Sequence, residues 1–439
     1  MKITALSKGN NRLLLIFAGW STDASAFEGI SCPSYDILVV HDYSSFDLPP
    51  FPREYDEIVV LAWSLGVHAA EIALQEKNWP ITLTIAVNGT SNPVSDTEGI
   101  PTAIYKSTAE NLSAASFVKF RRRMGASGLP RGERTIESLS AELFSFPTTP
   151  IVFRWDRAVI SSDDRIFPPA NQANAWEGRA EITHIDGPHM PDFQKIIDSF
   201  IINKSVVSTH FAKGRETYRK AADVQLRIAQ TLWQLWQKHL HGWKPQSVLE
   251  IGVGNGMFTE LYAPKLKPKE LILWDIAPEQ SRFGCVESKD AESAIFSLSD
   301  NSLDAIASAN TMQWFNSPAL FLLNVSRILK SGGVAVLSTF GPKTFHELTE
   351  AGVTPLPYLS LDSLKRIIPQ NIKIEELFDG LVTKVFSASA EALHHLQETG
   401  VTGRPTSQGV RHVLENYPRR EDGRVSLTYQ PIYLILRKQ

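Results

Sequence analysis

The chain has 439 residues and a net charge of −3, and 43% of its residues are apolar while 21% are charged. This length exceeds what one hydrophobic core usually supports, so we expect two domains, and the near-neutral charge argues against a nucleic-acid-binding protein. The chain has only two cysteines, Cys32 and Cys285, which argues against a disulfide framework and a zinc cluster. It also lacks an apolar run of the ~18 residues that a membrane helix needs. We therefore expect a cytoplasmic protein that does not span a membrane.

The first half of the chain alternates short apolar runs with helical patterns. Runs of this length and composition predict buried strands at 12–17, 36–41, 57–62, 82–87 and 158–161. Buried strands separated by helices are typical of a parallel sheet that is covered on both faces. The polar and basic stretch 107–147 interrupts this pattern, and we expect it to form a short helical lid inserted between two strands.

The third of these runs leads into Ala62-Trp63-Ser64-Leu65-Gly66, a candidate nucleophile turn. A serine on a tight strand-to-helix turn needs small residues two positions before and after it, hence the usual Gly-x-Ser-x-Gly pattern. Because Ala62 replaces the first glycine, the motif is weak on its own, and a coincidental turn is the alternative. Ser64 is the predicted nucleophile.

A nucleophilic serine requires an imidazole to take its proton and a carboxylate to orient that imidazole. In hydrolases with this turn the chain order is serine, acid, histidine. Asp164 and His189 each follow a predicted strand, in that order after Ser64. We therefore predict Ser64, Asp164 and His189 as the catalytic residues, with Asp163 and Asp186 as weaker candidates for the acid.

Two backbone N–H groups are also needed to stabilise the oxyanion, one from the residue after the serine and one from a loop that follows an earlier strand. Leu65 and Trp20 are placed to provide them. The Gly19-Trp20-Ser21 loop also interrupts the apolar run at 13–18 too early for a secretion signal.

The character of the sequence changes near residue 203, where an apolar run gives way to polar residues. We place the first domain at 1–203, a linker at 204–213 and the second domain at 214–439. The second domain is expected to begin with two helices, followed by a strand at 247–251 and repeated strand–helix units. The alternating tail at 425–436 predicts one terminal antiparallel strand.

The strand at 247–251 runs into a glycine-rich loop whose backbone a ligand can approach closely. The loop contains Glu250, Gly252, Gly254 and Gly256, and its third glycine comes one residue earlier than in a dinucleotide-binding fingerprint. This spacing, with an acid before the first glycine, favours S-adenosylmethionine over NAD as the cofactor.

Further polar residues follow the next strands. Asp275 ends a predicted strand roughly 20 residues after the loop, where an acid can bind both ribose hydroxyls. Asp290, next to Ala291, is placed to accept from the adenine amino group, and Asn310 follows the fourth strand at the sheet edge where ligands bind. Each acid alone is typical of a solvated loop, but three such signals after consecutive strands predict a cofactor site.

Residues 214–439 resemble the malonyl-[acyl-carrier protein] O-methyltransferases of biotin synthesis. The resemblance is carried by Tyr218 and Gln225, by Ser308-Ala309-Asn310 leading to Gln313-Trp314, and by Thr428-Tyr429. It implies a class I, Rossmann-like methyltransferase domain that uses S-adenosylmethionine. Glu250 stands where an aspartate is commoner in that family.

Residues 1–200 resemble the pimeloyl-[acyl-carrier protein] methyl ester carboxylesterases, which are compact α/β-hydrolases with a short lid. The matching motifs are Phe17-Ala18-Gly19-Trp20, Ala62-Trp63-Ser64-Leu65-Gly66, Asp164-Arg165-Ile166-Phe167-Pro168 and Gly187-Pro188-His189. Many α/β-hydrolases share these motifs, so the substrate assignment depends on the second domain.

Together the two resemblances imply a bifunctional enzyme of biotin synthesis. It would methylate malonyl-[acyl-carrier protein] and hydrolyse the methyl ester of pimeloyl-[acyl-carrier protein], with the carrier protein as its partner. Tyr218, Arg219 and Lys343 are then candidates to bind the malonyl carboxylate. Two alternatives stay open: a general acyl esterase fused to a small-molecule methyltransferase, and an inactive hydrolase half that only recruits the carrier protein.

The basic run of the predicted lid has two interpretations. Arg121, Arg122 and Arg123 are usual on a solvated helix face, whereas an acidic carrier protein would make them a docking surface. In the second interpretation, Phe117 and Phe120 are candidates to line an acyl channel beside that surface.

Overall fold

The computed structural model describes residues 1–33, 35–51, 53–129, 134–149, 151–400 and 409–439, and the side chain of Glu216 lies outside the description. The chain divides into two compact units, Met1–Ile197 and Asp198–Gln439. Each unit is built around its own sheet.

The first unit has a seven-stranded sheet within the residues that the structure describes, in the order β1-β3-β2-β4-β5-β6-β7. Its strands are β1 Lys2–Ser7, β2 Arg12–Phe17, β3 Asp36–His41, β4 Glu57–Trp63, β5 Ile81–Val87, β6 Arg157–Asp163 and β7 Glu181–Pro188. The first pair, β1 and β3, is antiparallel, and the other neighbouring pairs are parallel.

All five strands predicted from apolar runs are confirmed, with small differences at their ends. The central strand β4 is buried along its whole length because both faces of the sheet are covered, and this is why its sequence reads as a continuous apolar run. Strand β1 was not predicted. That strand lies at the edge of the sheet, where half-buried and exposed residues alternate and leave no apolar run to detect.

The helices of the first unit are α1 Gly66–Leu74, α2 Thr102–Glu110, α3 Ala114–Met124, α4 Ile136–Ser145 and α5 Pro169–Trp176, with a 3-10 turn at Ala24–Phe27, and the first unit ends within α6 Phe193–Phe200. Three of them, α2 to α4, come between β5 and β6, where the lid was predicted, although residues 130–133 of that stretch lie outside the described residues. A capping box begins α3, with Ser113 and Ser116 satisfying each other's backbone N–H groups.

The second unit has its own seven-stranded sheet in the described part of the chain, in the order β10-β9-β8-β11-β12-β16-β13, while β14 pairs with β15 separately. The strands are β8 Ser247–Ile251, β9 Glu270–Asp275, β10 Val286–Ser288, β11 Leu303–Ser308, β12 Leu329–Phe340, β13 Ile372–Asp379, β14 Val382–Phe386, β15 Val425–Tyr429 and β16 Pro431–Lys438. The strand order reverses between β8 and β11, so a crevice is expected at their carboxyl ends.

The helices of the second unit surround this sheet. They are α7 Lys204–Ala221, α8 Asp223–His239, α9 Met257–Leu266, α10 Ala291–Ala294, α11 Pro318–Ile328, α12 His346–Glu350, α13 Leu361–Ile367, α14 Ser389–Glu398 and α15 Gly409–Asn416, with 3-10 turns at Ile295–Ser297 and Met312–Trp314. The two helices expected before the first strand of this unit are α7 and α8.

Two sequence predictions for this unit were wrong in detail. Residues 204–213 are not a linker but the first turns of α7, because the polar stretch hides two buried side chains, Lys204 and Val207. The tail at 425–436 is not one strand. Gln430 interrupts it, since its backbone N–H donates to Thr344 and its carbonyl accepts from Gly341, and β15 and β16 therefore join different sheets.

Across the described residues, no helix combines the length and the apolarity needed to cross a bilayer. Within the same residues, no cluster of histidine, cysteine and carboxylate side chains is arranged to bind a metal ion.

Candidate active sites

The turn between β4 and α1 presents Ser64 in a strained backbone conformation. Its φ angle is +61°, a region that residues other than glycine rarely adopt, and such strain is typical of a nucleophile on a tight strand-to-helix turn. Two residues later, a Cβ atom on Gly66 would lie 2.5 Å from the carbonyl oxygen of Phe17 and 2.6 Å from that of Ala18. The close approach of β2 therefore requires glycine at position 66.

The structure brings Ser64, His189 and Asp164 into one hydrogen-bonded chain. The Nε2 atom of His189 lies 2.9 Å from the hydroxyl oxygen of Ser64, and its Nδ1 atom lies 2.8 Å from Oδ2 of Asp164. All three residues are buried. This is the geometry in which a carboxylate orients an imidazole that can take a proton from a serine.

The buried carboxylate of Asp164 is fixed from three sides. Its Oδ1 atom accepts from the backbone N–H groups of Ile166 and Phe167, and its Oδ2 atom accepts from the amide of Gln172. The other two candidate acids point elsewhere: Asp163 pairs with Arg165 at the surface, and Asp186 accepts from Ser162. Asp164 is thus the acid that the fold places beside the imidazole.

The backbone and ring of His189 are also fixed. Its carbonyl oxygen accepts from the indole N–H of Trp63 and from the amide of Asn88, each at 2.8 Å. The ring of Phe167 lies parallel to the imidazole, with 6.0 Å between the ring centres. These contacts limit the motion of the imidazole, so the hydrogen-bonded chain is preorganised.

Ser64 opens into a cavity of about 480 Å³, which we call the serine cavity. Its walls are mainly apolar, and its lining residues are Trp20, Ser64, Leu65, Ile100, Ile104, Tyr105, Thr108, Phe120, Arg123, Leu143, Arg165 and Ile166. Trp20 and Leu65, the predicted oxyanion residues, both line it. Three of the lining residues, Ile104, Tyr105 and Leu143 of the lid helices α2 and α4, were not predicted from the sequence.

The predicted lid residues divide into two groups. Phe120 and Arg123 line the serine cavity, whereas Phe117 is not among its lining residues and makes a T-shaped ring contact with Trp20. Arg121 donates to the carbonyl oxygen of Leu129, which shortens its reach, and Arg122 is exposed. Only part of the basic run is therefore directed at the cavity.

The second unit contains a larger cavity of about 850 Å³ at the carboxyl ends of β8, β9 and β11. We call it the large cavity. Among the predicted site residues, those that line it are Tyr218, Gly252, Gly254, Asp275, Asp290, Ala291 and Asn310. The crevice predicted from the strand order is therefore present.

The glycine-rich loop forms one wall of the large cavity. Gly252, Gly254 and Gly256 all have positive φ angles, and a Cβ atom on Gly252 would lie 1.9 Å from the hydroxyl oxygen of Thr311. The backbone N–H of Gly254 donates to the carboxylate of Asp275 at 2.7 Å. Gly256 does not reach the cavity and instead begins α9.

The carboxylates of the large cavity are held by backbone groups. Besides Gly254, Asp275 accepts from the backbone N–H of Ala277, and burial raises the pKa of its carboxyl in spite of these bonds. Asp290 accepts from the backbone N–H of Glu292 at the start of α10, and it lies 3.9 Å from the ammonium of Lys204.

Glu250, predicted to bind the cofactor, does not reach the large cavity. Its carboxylate accepts from the hydroxyl groups of Thr259 and Tyr262 on α9, on the opposite face of the strand from the cavity. Burial is the main effect on this group and raises its pKa to about 7. Glu250 thus ties β8 to α9, and its neighbour Ile251 is the residue of β8 that lines the cavity.

A smaller cavity of about 380 Å³ adjoins the large one, and we call it the adjoining cavity. The two share four lining residues, Phe211, Tyr218, Asn310 and Trp314. Of the three residues predicted to hold a substrate carboxylate, only Tyr218 lines it. Arg219 pairs with Glu260, and Lys343 is exposed.

The adjoining cavity contains Gln225, whose role the sequence analysis did not assign. Gln225 is 6% exposed, and its Oε1 atom has no hydrogen-bond partner among the described residues. The signal was available in the sequence, because Gln225 lies on the same face of α8 as the apolar residues Ile228 and Leu232. A polar side chain on a buried apolar face calls for a functional explanation.

The polar groups of the large cavity fit a nucleoside that carries a charged amino-acid group. Asn255 Nδ2 and Trp274 Nε1 are buried donors without an acceptor in the described part of the chain, and both residues line the cavity. The carboxylates of Asp275 and Asp290 add acceptors for hydroxyl and amino groups. Donors and acceptors are therefore both available to such a ligand.

Two family models match the chain. Residues 1–197 match the family described as Pimeloyl-ACP methyl esterase BioG, and residues 249–337 match the family described as Methyltransferase domain.

Relatives of the chain carry matching names. A malonyl-[acyl-carrier protein] O-methyltransferase of Bacteroides fragilis is 33% identical over 460 aligned residues, which cover 97% of this chain and 93% of that protein. A second malonyl-[acyl-carrier protein] O-methyltransferase, from Bacteroides thetaiotaomicron, is 32% identical over an alignment that covers 54% of this chain and 99% of that protein. A solved structure, BioG from Haemophilus influenzae, is 32% identical over 44% of this chain and 94% of its own, with a TM-score of 0.41.

These matches agree with the geometry of the large cavity. The second unit is a methyltransferase domain, its cofactor is S-adenosylmethionine, and the residues that line the large cavity suit that cofactor. With its alignment to the Bacteroides fragilis protein over nearly the whole of both chains, the chain belongs to the malonyl-[acyl-carrier protein] O-methyltransferase family, with an amino-terminal part that matches the pimeloyl-ACP methyl esterase model.

Proposed function

We propose that the chain is a bifunctional enzyme of biotin synthesis. Its second unit methylates the free carboxylate of malonyl-[acyl-carrier protein], and its first unit, an α/β-hydrolase, removes the methyl group from pimeloyl-[acyl-carrier protein] methyl ester. The ester hydrolysis proposed for the first unit is supported best by the hydrogen bonds that join Ser64, His189 and Asp164, because these are the side chains that the reaction needs.

In the methyltransferase unit, the chain's own residues bind and orient rather than react. S-adenosylmethionine, when bound, supplies an electrophilic methyl group on a positively charged sulfur. Asp275 binds the ribose hydroxyls, Asp290 accepts from the adenine amino group, and the open backbone at Gly252 and Gly254 admits the amino-acid end. Asn310 stands where the large and adjoining cavities meet, next to the acceptor.

The methyl transfer needs no general base. The acceptor carboxylate is already an anion, and S-adenosylmethionine held by Asp275, Asp290 and the backbone at Gly252 would supply the methyl group and keep the electrons of the broken bond as a neutral thioether. No proton moves. The protein therefore contributes alignment and exclusion of water, which fits a site whose carboxylates, Asp275 and Asp290, are themselves held by backbone N–H groups.

The first unit follows acyl-enzyme chemistry. His189 takes the proton of Ser64 as its oxygen attacks the ester carbonyl, and then gives that proton to the departing methoxide, which leaves as methanol. A water molecule that His189 deprotonates then releases the free acid. The backbone N–H groups of Leu65 and Trp20 stabilise the oxyanion in both steps.

The two activities share one physical purpose, the reversible removal of a negative charge. Fatty-acid elongation enzymes bind the growing chain in apolar channels, where an unpaired carboxylate is strongly disfavoured. Methylation of the malonyl carboxylate neutralises it and permits elongation. Hydrolysis at the pimeloyl stage restores the charge and ends elongation.

The walls of the serine cavity suit an acyl chain that arrives on a carrier. Trp20, Phe120 and Leu143 provide apolar contacts, while Arg123 and Arg165 line the same cavity and provide positive charge. A carrier protein is acidic, so it can deliver the ester while its own surface contacts Lys119, Arg122 and Arg123 of the lid.

Complementation tests the proposal in cells. The chain should restore biotin-independent growth to two bacterial strains, one without the methyltransferase and one without the esterase. The Ser64→Ala variant should rescue only the first strain. Rescue of the esterase-deficient strain by Ser64→Ala would contradict a catalytic role for the first unit and would favour a recruiting role.

Assays with purified protein separate the proposed substrate from a general esterase activity. The proposal predicts a much higher kcat/KM for the carrier-bound pimeloyl methyl ester than for short p-nitrophenyl esters. Equal or lower kcat/KM for the carrier-bound ester would identify a general acyl esterase.

A further inference from the structure

The adjoining cavity contains a buried polar group that the proposed function has not used. Gln225 projects from α8 into this cavity, 6% exposed, with Oε1 lacking a hydrogen-bond partner among the described residues. A buried amide without a partner is destabilising, so its presence calls for a ligand that pairs with it.

The position of the cavity indicates which ligand that is. It shares Tyr218, Asn310 and Trp314 with the large cavity, so a molecule in it lies beside the methyl donor. The group that must occupy that place is the methyl acceptor. We propose that the amide of Gln225 binds the free carboxylate of the acceptor and positions one of its oxygens for methylation.

A neutral donor suits this task better than a cation. A lysine or arginine in direct contact would withdraw electron density from the attacking oxygen and repel the positively charged sulfur of the cofactor. An amide N–H orients the carboxylate through a hydrogen bond and leaves its charge available. None of the described residues that line the adjoining cavity is a lysine or arginine.

Tyr218 supplies a second neutral donor at the junction of the two cavities. Burial, with a smaller effect of the nearby Asp275, raises the pKa of its hydroxyl, which therefore stays protonated at physiological pH. The unpartnered Oε1 atom is an acceptor and a carboxylate offers no donor, so binding requires a half-turn of the Gln225 amide, which places its NH2 group where Oε1 now lies and lets it donate to the anion. The carboxylate would then meet two neutral donors, the amide of Gln225 and the hydroxyl of Tyr218, in the adjoining cavity.

This inference rests on the proposed methyltransferase activity and identifies the residue that selects the acceptor. Gln225→Met keeps the size of the side chain and removes the hydrogen bond, so KM for malonyl-carrier protein should rise about 10- to 100-fold. Gln225→Glu places a second carboxylate against the first, so its loss should be larger at pH 8 and should diminish as the pH falls and the new carboxyl takes up a proton.

A binding measurement distinguishes positioning from a structural defect. With S-adenosylhomocysteine present to prevent reaction, calorimetry should show that Gln225→Glu weakens binding of malonyl-carrier protein but not of its neutral methyl ester. The affinity for S-adenosylmethionine should stay unchanged in both variants, because Gln225 does not line the large cavity. Gln230→Met, the same change at an exposed position of α8, is the matched control.

The outcomes are distinct. Wild-type values of KM and of malonyl-carrier affinity in both Gln225 variants, or equal weakening for the acid and the ester, would overturn the inference. Absence of methylation by the wild-type protein would instead contradict the proposed function, and the inference with it.

Discussion

In the proposed function the two units solve different chemical problems, and their sites differ accordingly. The first unit carries its reactive groups as side chains, with Ser64, His189 and Asp164 already within hydrogen-bonding distance. The second unit offers a binding surface, in which backbone and carboxylate groups surround the large cavity and the electrophile comes from outside. A covalent mechanism needs preorganised side chains, whereas transfer between two bound molecules needs mainly orientation.

The comparison predicts that the two activities can be removed separately. The largest effect is expected from Ser64→Ala, which removes the nucleophile and should lower kcat for ester hydrolysis by at least about 10³-fold while methyl transfer continues at its full rate. The measurement is hydrolysis of carrier-bound pimeloyl methyl ester alongside methylation of malonyl-carrier protein.

Ser162→Ala, an exposed serine near the end of β6, is the control for this change and should retain both activities. Hydrolysis by Ser64→Ala at more than a few per cent of the wild-type rate would show that another residue attacks the ester.

Asp275→Asn makes the opposite separation. Both carboxylate oxygens of Asp275 accept backbone N–H groups, from Gly254 and Ala277, and an asparagine would turn its own N–H₂ toward one of them. We expect the Kd for S-adenosylmethionine to rise about 10- to 100-fold, since a ribose acceptor and the shape of the loop are both lost. Ester hydrolysis should be unaffected.

Calorimetry measures this change, with Asp362→Asn as the control because that carboxylate of the same unit is 87% exposed. An unchanged Kd in Asp275→Asn would show that the cofactor does not contact this carboxylate.

The pH dependence of stability should also differ between the units because of Glu250. Burial raises its pKa to about 7, whereas a glutamate in an unfolded chain titrates near 4.3. A raised pKa means that the folded state binds the proton of Glu250 more tightly than the unfolded chain does. The contribution of this proton to the free energy of unfolding is therefore complete below about pH 4.3 and is lost as the pH rises through about 7. The loss is of the order of 4 kcal/mol.

Glu250→Gln cannot ionise yet still accepts from Thr259 and Tyr262, so it should match the wild type near pH 4 and be more stable above pH 7. Amide hydrogen exchange of β8, compared between the two proteins at each pH, gives the free energy of opening. A constant difference across this range would contradict the assignment.

The smallest effect is expected at the lid. Arg122→Glu should raise KM for the carrier-bound ester only several-fold, because a single exposed charge attracts an acidic partner weakly. The increase in KM should be larger at low salt, where dissolved ions screen the charge less. A small soluble ester should be hydrolysed as before. Lys195→Glu is the control, since this lysine of the first unit is 84% exposed and outside the lid. Equal losses on both esters would exclude docking at Arg122.

Much of the fold could be predicted from the sequence because buried parallel strands leave continuous apolar runs, as in β2 and β4. The edge strand β1 left no such run and was missed. The start of α7 was taken for a linker because its exposed residues are polar, although Lys204 and Val207 are buried.

Site residues could be predicted where their order along the chain identifies the catalytic role. They could not be predicted where the direction of a side chain decides whether it reaches the site. Asp164 and His189 follow strands in the order that a hydrolase requires, and the structure brings them to Ser64. Glu250 stands next to the glycine loop in sequence, but alternate residues of a strand face opposite sides, and its carboxylate turns to α9. The role of Gln225 depends on the cavity around it, which side chains from distant parts of the chain form and which no local pattern predicts.

The mass of the intact carrier protein after incubation with the purified chain tests the central claim most directly. Malonyl-carrier protein with S-adenosylmethionine should gain the mass of one methyl substitution, and pimeloyl methyl ester carrier protein should lose it in a separate reaction with the same preparation. The Ser64→Ala variant should give the gain without the loss. A preparation that changes only one of the two carrier proteins would contradict the account of one chain that both adds and removes the methyl group.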